Sequence, residues 1–149
     1  TELRRPEFRR KNKMGDKGAG LMKVTVEKAT GLPAKSGHFD KTDPYCKLTL
    51  KTNDGKEGES YKTDTKDNAG SDPTWDQTFT FNKKEDEDVL EVKIYDDDVV
   101  KDDVLCERLI DLDSIKSGKT AGMGKSTPYQ LVKDGKEIGQ VFLKIEFDI

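Results

Sequence analysis

The sequence predicts an all-β fold, an antiparallel β-sandwich of seven or eight strands. Three observations predict it. Five separate segments alternate apolar and polar residues, the period-two pattern that turns one strand face to a core and the other to water. Turn-forming Asn, Asp, Gly and Pro punctuate the chain between them. No long segment sustains the helical apolar period of about 3.6 residues.

The elements follow in order. Met22, Val24 and Val26 alternate in LMKVTVEKA and mark a strand over 21–28. Cys46, Leu48 and Leu50 alternate in YCKLTL, a strand over 44–51 with Cys46 core-facing and inert. NDGKEG at 53–58 is a hairpin loop, because Asn, Asp and Gly tolerate positive φ. SDP at 71–73 is another turn, followed by Trp75, Gln77, Phe79 and Phe81 in TWDQTFTF, whose aromatic rings are expected in the core. Leu90, Val92 and Ile94 define a strand over 89–95. LIDLDSIKSG at 109–118 holds one short helical turn ending near Gly118, and 117–127 is a Gly-, Ser-, Thr- and Lys-rich loop. KDGKE at 133–137 turns the chain into a closing strand over 140–148, with Val141, Leu143, Ile145 and Phe147 alternating.

The totals bound the class. A chain of 149 residues is one domain by default and can bury roughly two thirds of its unfolded surface. The net charge of −3 is unevenly spread: residues 1–13 hold six basic against two acidic residues, a net +4, leaving −7 on residues 14–149. The basic arm, taken as 1–20 ahead of a domain over 21–149, either touches phosphate or anionic lipid, or is foreign to a native start at Met14. No apolar run approaches the roughly 20 residues of a membrane span, and no signal-peptide pattern is present. Two cysteines without framework spacing read as free thiols of a reducing compartment. One histidine leaves little for a multi-His metal site or a Ser-His-Asp triad. Few and interior aromatics on an acidic body exclude a nucleic-acid binder.

The chemistry lies in two acidic clusters. GHFDKTDPY brings Asp40 and Asp43 just before the strand at 44; DDDVVKDD packs five carboxylates into residues 96–103, with Val99 and Val100 among them. If the two strands run antiparallel, both clusters share one end of the sandwich. Two carboxylates about 4 Å apart repel by roughly 4 kcal/mol at an effective dielectric near 20, so such a cup calls for a cation. All-oxygen donors on loops suit calcium better than zinc or copper. Asp96 and Asp98 can bracket an ion while the carbonyl of Asp97 turns inward. The alternative is a solvated acidic loop, the common fate of charge runs.

The chain resembles the C2 domain, the calcium-dependent lipid-binding β-sandwich. The resemblance is carried by LMKVTVEKATGLP, TDPYCKLTL, DPTWDQTFTF, LEVKIYDDD, DDVLCERLIDL and GQVFLKIEF in this order, over residues 21–149. A strand closing the chain, and none before 21–28, resembles the family's eight-stranded type II topology, the permuted form found in phospholipases. The resemblance implies calcium ligands at Asp40 and Asp43 (the D-x-x-D-P-Y of the cytosolic phospholipase type), at Asp96 and Asp98, and at Asp103 with Asp102 as its alternative, to which the spacing adds Asp97 through its carbonyl. Asp67 and Asn68 are minor candidates. Cys106 stands where the family usually has Gly.

On that resemblance the apolar tips, Val99 and Val100 with His38 and Phe39, are expected to enter the bilayer while the acids hold calcium. Lys47, Lys51, Lys62 and Lys66 are the expected phosphoinositide head-group contacts. The reading is a monomeric, non-enzymatic module that calcium recruits from the cytoplasm to the inner face of anionic membranes rich in phosphatidylserine or phosphoinositide. Its rival is a calcium-independent module that binds protein or phosphoinositide. DDDVV also fits the D-x-D-x-V of haloacid-dehalogenase phosphatases, but that site needs a parallel α/β sheet with helices, which this sequence lacks.

Overall fold

The computed structural model describes residues 19–34, 42–118 and 123–148. The strands are β1 (Gly20–Thr30), β2 (Pro44–Lys51), β3 (Glu57–Lys62), β4 (Thr74–Lys83), β5 (Val89–Asp96), β6 (Asp103–Asp111), β7 (Thr127–Lys133) and β8 (Lys136–Asp148), with one short helix, α1 (Leu112–Lys116), after β6. All strand pairings are antiparallel, in the order β3-β2-β5-β6-β7-β8-β1-β4. The fold is the predicted eight-stranded antiparallel sandwich. Its layers are β3-β2-β5-β6 and β7-β8-β1-β4, joined where β6 meets β7 at Glu107 and Val132.

The period-two pattern becomes the core. Met22, Val24 and Val26 of β1, Leu48 and Leu50 of β2, Leu90, Val92 and Ile94 of β5, and Leu143 and Ile145 of β8 are all fully buried between the layers. Each such side chain contributes roughly 1.5–3 kcal/mol by leaving water. Cys46 and Cys106 are free and buried in the same core. Burial pushes both thiols up, Cys106 to about 12. Trp75 and Phe81 are buried, whereas Phe79 is only partly so. The reason is that β3 and β4 are the sheet's two free edges. Tyr61 of β3 stacks on Phe79 with ring centroids 5.7 Å apart and sets its edge on Phe81 at 4.9 Å, closing the seam.

The two hairpin turns fall where expected but are shorter than expected, since Lys133, Lys136 and Glu137 of KDGKE already pair in β7 and β8. Asp134 (φ 51°) and Gly135 (φ 78°) form the β7–β8 turn, two positive φ values that match the strands' right-handed twist. The β2–β3 turn is shorter than NDGKEG, since Glu57 already pairs with Lys51. Asp111 caps α1 by accepting from Ser114 N, and Leu112 and Ile115 bury its inner face. Among the described residues no helix is long and apolar enough to cross a membrane.

Register fixes which connections share an end. Pro44 lies opposite Asp96, Lys28 opposite Thr74, and Thr30 opposite Gln140. Loop 1 (31–43), loop 2 (63–73), loop 3 (97–102) and the β7–β8 turn therefore gather at one end, which we call the loop end.

Candidate functional site

Loop 3 leaves β5 at Asp96 and re-enters β6 at Asp103, the last register pair of those strands. Backbone straps join it to loop 1: Asp43 N donates to Asp96 Oδ1 at 2.8 Å, and Asp97 N donates to the Asp43 carbonyl at 2.9 Å. Loop 2 is tied in from the other side. Asn68 N donates to Asp43 Oδ1 at 2.6 Å, with Asn68 itself at φ 56°, and the Thr65 hydroxyl donates to Asp97 Oδ2 at 2.9 Å. The acids are thus held by the very amides that orphan loop backbones must place somewhere.

The two acids between which the sequence could not choose differ sharply. Asp102 Oδ2 accepts from the Tyr45 hydroxyl at 2.6 Å and its Oδ1 accepts from Asp98 N at 3.1 Å. These bonds, that of Tyr45 first, hold the Asp102 carboxyl below its ordinary value. The Tyr45 hydroxyl is pushed up, by burial first and then by Asp102. Tyr45 also stacks on Tyr95, with centroids 5.1 Å apart and planes 13° from parallel. Asp102 therefore latches loop 3 to the sheet. Asp103 stands at the loop's root, where β6 begins.

Asp43, Asp96, Asp97, Asp98 and Asp103 all lie at the loop end, and Asp96 is buried there at 7% exposure. Among the described residues, however, no three Asp, Glu, His or Cys side chains converge closely enough to hold a metal. Asp40, His38 and Phe39 lie outside the described residues. By donor type the described acids fit a hard cation, being oxygen ligands only. Val99 and Val100 are 103% and 92% exposed at the tip of loop 3, where Asp98 Oδ1 accepts from Val100 N at 3.5 Å.

The lysines are arranged differently from the sequence expectation. Lys47 lies opposite Lys62 on β3 and opposite Lys93 on β5, so three lysines form one row across the outer face. Lys62 Nζ sits 5.2 Å from the Tyr45 ring centroid. Lys51 is paired with Glu91 at 2.9 Å, which raises its pKa. Lys66 stands apart in loop 2: β3 ends at Lys62, and Lys66 N donates to the Pro44 carbonyl. Lys93 is absent from the lysines expected from the sequence, although its alternation with Val92 and Ile94 already puts it on the outer face.

The family model of the C2 domain matches residues 20–131. The chain is 30% identical over 129 residues to the 16 kDa phloem protein 2 of Arabidopsis thaliana, covering 86% of this chain and 81% of that protein. It is 35% identical over 104 residues to the human multiple C2 and transmembrane domain-containing protein 1, covering 69% of this chain but 10% of that protein. It thus spans about a tenth of the length of the latter. Among solved structures, a C2 domain of plant extended synaptotagmin 1 superposes with a TM-score of 0.65 at 25% identity, covering 85% of this chain and 92% of that one.

Proposed function

The chain belongs to the C2-domain family, and on that premise we propose that it binds anionic phospholipid membranes by its loop end when calcium is present. The observation that carries the reading is the pair Val99 and Val100, fully exposed at the tip of a loop whose base is acidic. Burying one valine fully contributes roughly 1.5 kcal/mol or more, which bare solvent exposure forfeits. Asp43, Asp96 and Asp98, with Asp40 from loop 1 and Asp103 at the root of loop 3, are the residues that would hold calcium, with the Asp97 carbonyl beside them. Bound there, the ion supplies positive charge that offsets the carboxylates and a coordination position for lipid phosphate.

The rest follows from the chain's own residues. Without neutralisation, a body of net −7 is repelled by an anionic surface that attracts basic groups by about 1 kcal/mol each. The straps through Asp43, Asp96 and Asp97 fix the loops relative to one another, and the Tyr45–Asp102 latch holds loop 3 upright. His38 and Phe39 are the loop 1 counterparts of the valines in this proposal. It describes a non-catalytic module acting at the cytoplasmic face. A second reading, calcium-independent binding of phosphoinositide or of a protein, is favoured by the row Lys62–Lys47–Lys93.

The test is co-sedimentation with phosphatidylserine vesicles, in calcium and in chelator, with and without residues 1–13. Pelleting in calcium alone, lost in Asp98→Asn and in Val99→Asp/Val100→Asp, is the expected result. Equal pelleting in chelator refutes calcium dependence and moves the reading to the lysine row, which Lys47→Gln/Lys93→Gln then probes.

A further inference from the structure

We propose that the basic arm, residues 1–13, docks on its own domain, in an acidic groove at the end opposite the loop end. The inference is independent of the calcium reading. β3 and β4 are the two ends of the strand order, so their free edges face one another without main-chain pairing. A side chain bridges the seam instead: Glu59 Oε1 accepts from Asn82 N at 2.9 Å. Beside that bridge opens a cavity of about 760 Å³, lined by Glu57, Glu59, Lys83, Lys84, Glu85 and Glu87.

The groove's own cations do not balance its acids. Lys83 is buried at 4% exposure, with its ammonium 3.7 Å from Asp88 Oδ1 and donating to the Lys84 carbonyl at 3.2 Å. Glu87 is equally buried. Its Oε1 accepts from Lys84 N at 2.8 Å, whereas Oε2 lies over Gly58 and no described group donates to it. A Cβ on Gly58 would stand 1.9 Å from that oxygen, so only glycine leaves the carboxylate its place. A carboxylate oxygen drawn out of water without a donor is costly. A guanidinium, with five donors in a planar fork, supplies one.

The path of the chain names the occupant. Gly20 pairs with Lys83, and Ala19 and Gly20 themselves line the cavity, so the segment ahead of β1 starts inside the groove. The arm's four arginines and two lysines, against Glu2 and Glu7, carry +4. The four lining glutamates with Asp86 and Asp88 of the same turn, against Lys83 and Lys84, carry −4. Eight residues separate Arg10 from Ala19, and at about 3.3 Å each they let Arg10 reach any part of the groove. Gly15 and Gly18 let the chain reverse on the way. β1 is 11 residues long, roughly 36 Å, so a docked arm sits several Debye lengths of about 8 Å from the loop end. Docking thus holds the arm's bases back from any surface that the loop end meets.

The experiment uses the full chain with a spin label on Asn12→Cys, which keeps the arm's charge; Cys46 and Cys106 are buried and stay unlabelled. Amide relaxation read by NMR should be enhanced at Glu57–Glu59 and Lys84–Glu87 and not at Asp97–Asp102. The enhancement is expected to vanish in about 0.5 M salt, where the Debye length is ~4 Å. It should fall severalfold in Glu87→Gln and in Glu57→Gln/Glu85→Gln, whose two positions are exposed and outside the core. Glu137→Gln/Glu146→Gln removes the same charge elsewhere and should leave it intact. On phosphatidylserine vesicles in chelator, Glu57→Gln/Glu85→Gln should bind at least about tenfold more tightly than that control, because the arm is released. Enhancement spread equally over both ends, or unchanged in both groove variants, overturns the proposal. Enhancement that grows with protein concentration also overturns it, assigning the arm to a second copy, and vesicle binding no tighter than the control overturns the restraint. None of these outcomes touches the calcium reading, which Asp98→Asn tests separately.

Discussion

Tyr45→Phe removes one oxygen and leaves the ring in its stack on Tyr95. What it removes is the 2.6 Å bond to Asp102 Oδ2, the largest of the interactions that hold that carboxylate, while the 3.1 Å bond from Asp98 N at Oδ1 stays. Hydrogen bonds to a charged partner contribute about 1.5–3 kcal/mol. Asp102 is partly solvated, so the low end applies, about 1.5 kcal/mol. For a chain of this size about 1 kcal/mol moves the melting temperature by ~2–4 °C, so the variant should melt roughly 3–6 °C lower at pH 7. The pH dependence has a definite sign. In the folded protein the Asp102 carboxyl is held below its ordinary value, by Tyr45 first. Its stabilisation is then present above the unfolded value near 3.9 and fades as pH falls through the folded one. The gap between wild type and Tyr45→Phe should be full from about pH 7 to pH 5 and narrow below about pH 4. Differential scanning calorimetry across that range reads it. Equal melting temperatures at pH 7, or a gap that does not narrow in acid, would refute the latch.

Three further outcomes are expected. Calcium at 100 times its dissociation constant should add about 2.7 kcal/mol to the stability of the wild type, a thermal shift of roughly 5–10 °C, and little to that of Asp98→Asn. Gly139→Ala meets backbone oxygens at 2.8 and 2.9 Å at a φ of 75°, so urea unfolding should show a loss of about 2 kcal/mol or more. Cys46 and Cys106, buried with raised thiol pKa values, should resist a neutral-pH thiol reagent in the native state and both react on unfolding.

The strands legible in the chain are those with one dry face. β1, β2, β5 and β8 alternate because core burial demands it; β1, β2 and β5 lie close to their expected bounds, whereas β8 begins four residues before the expected 140, at Lys136. β3 is hard to see because it is a largely exposed edge strand with one large apolar side chain, Tyr61, which covers Phe79 and Phe81 yet stays 38% exposed. β7 is hidden by its brevity and by Pro128, although Tyr129 and Leu131 keep the alternation. Lys93 is easily missed because the apolar residues of β5 carry its pattern, and the outer face between them matters only once β2 and β3 lie alongside.

By itself the sequence determined the all-β class, the antiparallel hairpins and the family, because period-two patterning and turn chemistry are local and survive in one dimension. It also determined that acids and valines crowd into the same short stretches. What only the tertiary structure decided is how those acids differ. Asp102 is a latch because Tyr45, 57 residues away, lies within 2.6 Å of it. Lys51 is drawn aside by Glu91, 40 residues on, whereas Lys47 stands in a row with Lys62 and Lys93. Hydrogen bonds and ion pairs reach only a few ångströms, so a charged side chain's task is set by the neighbours that register brings to it, and register belongs to the folded sheet.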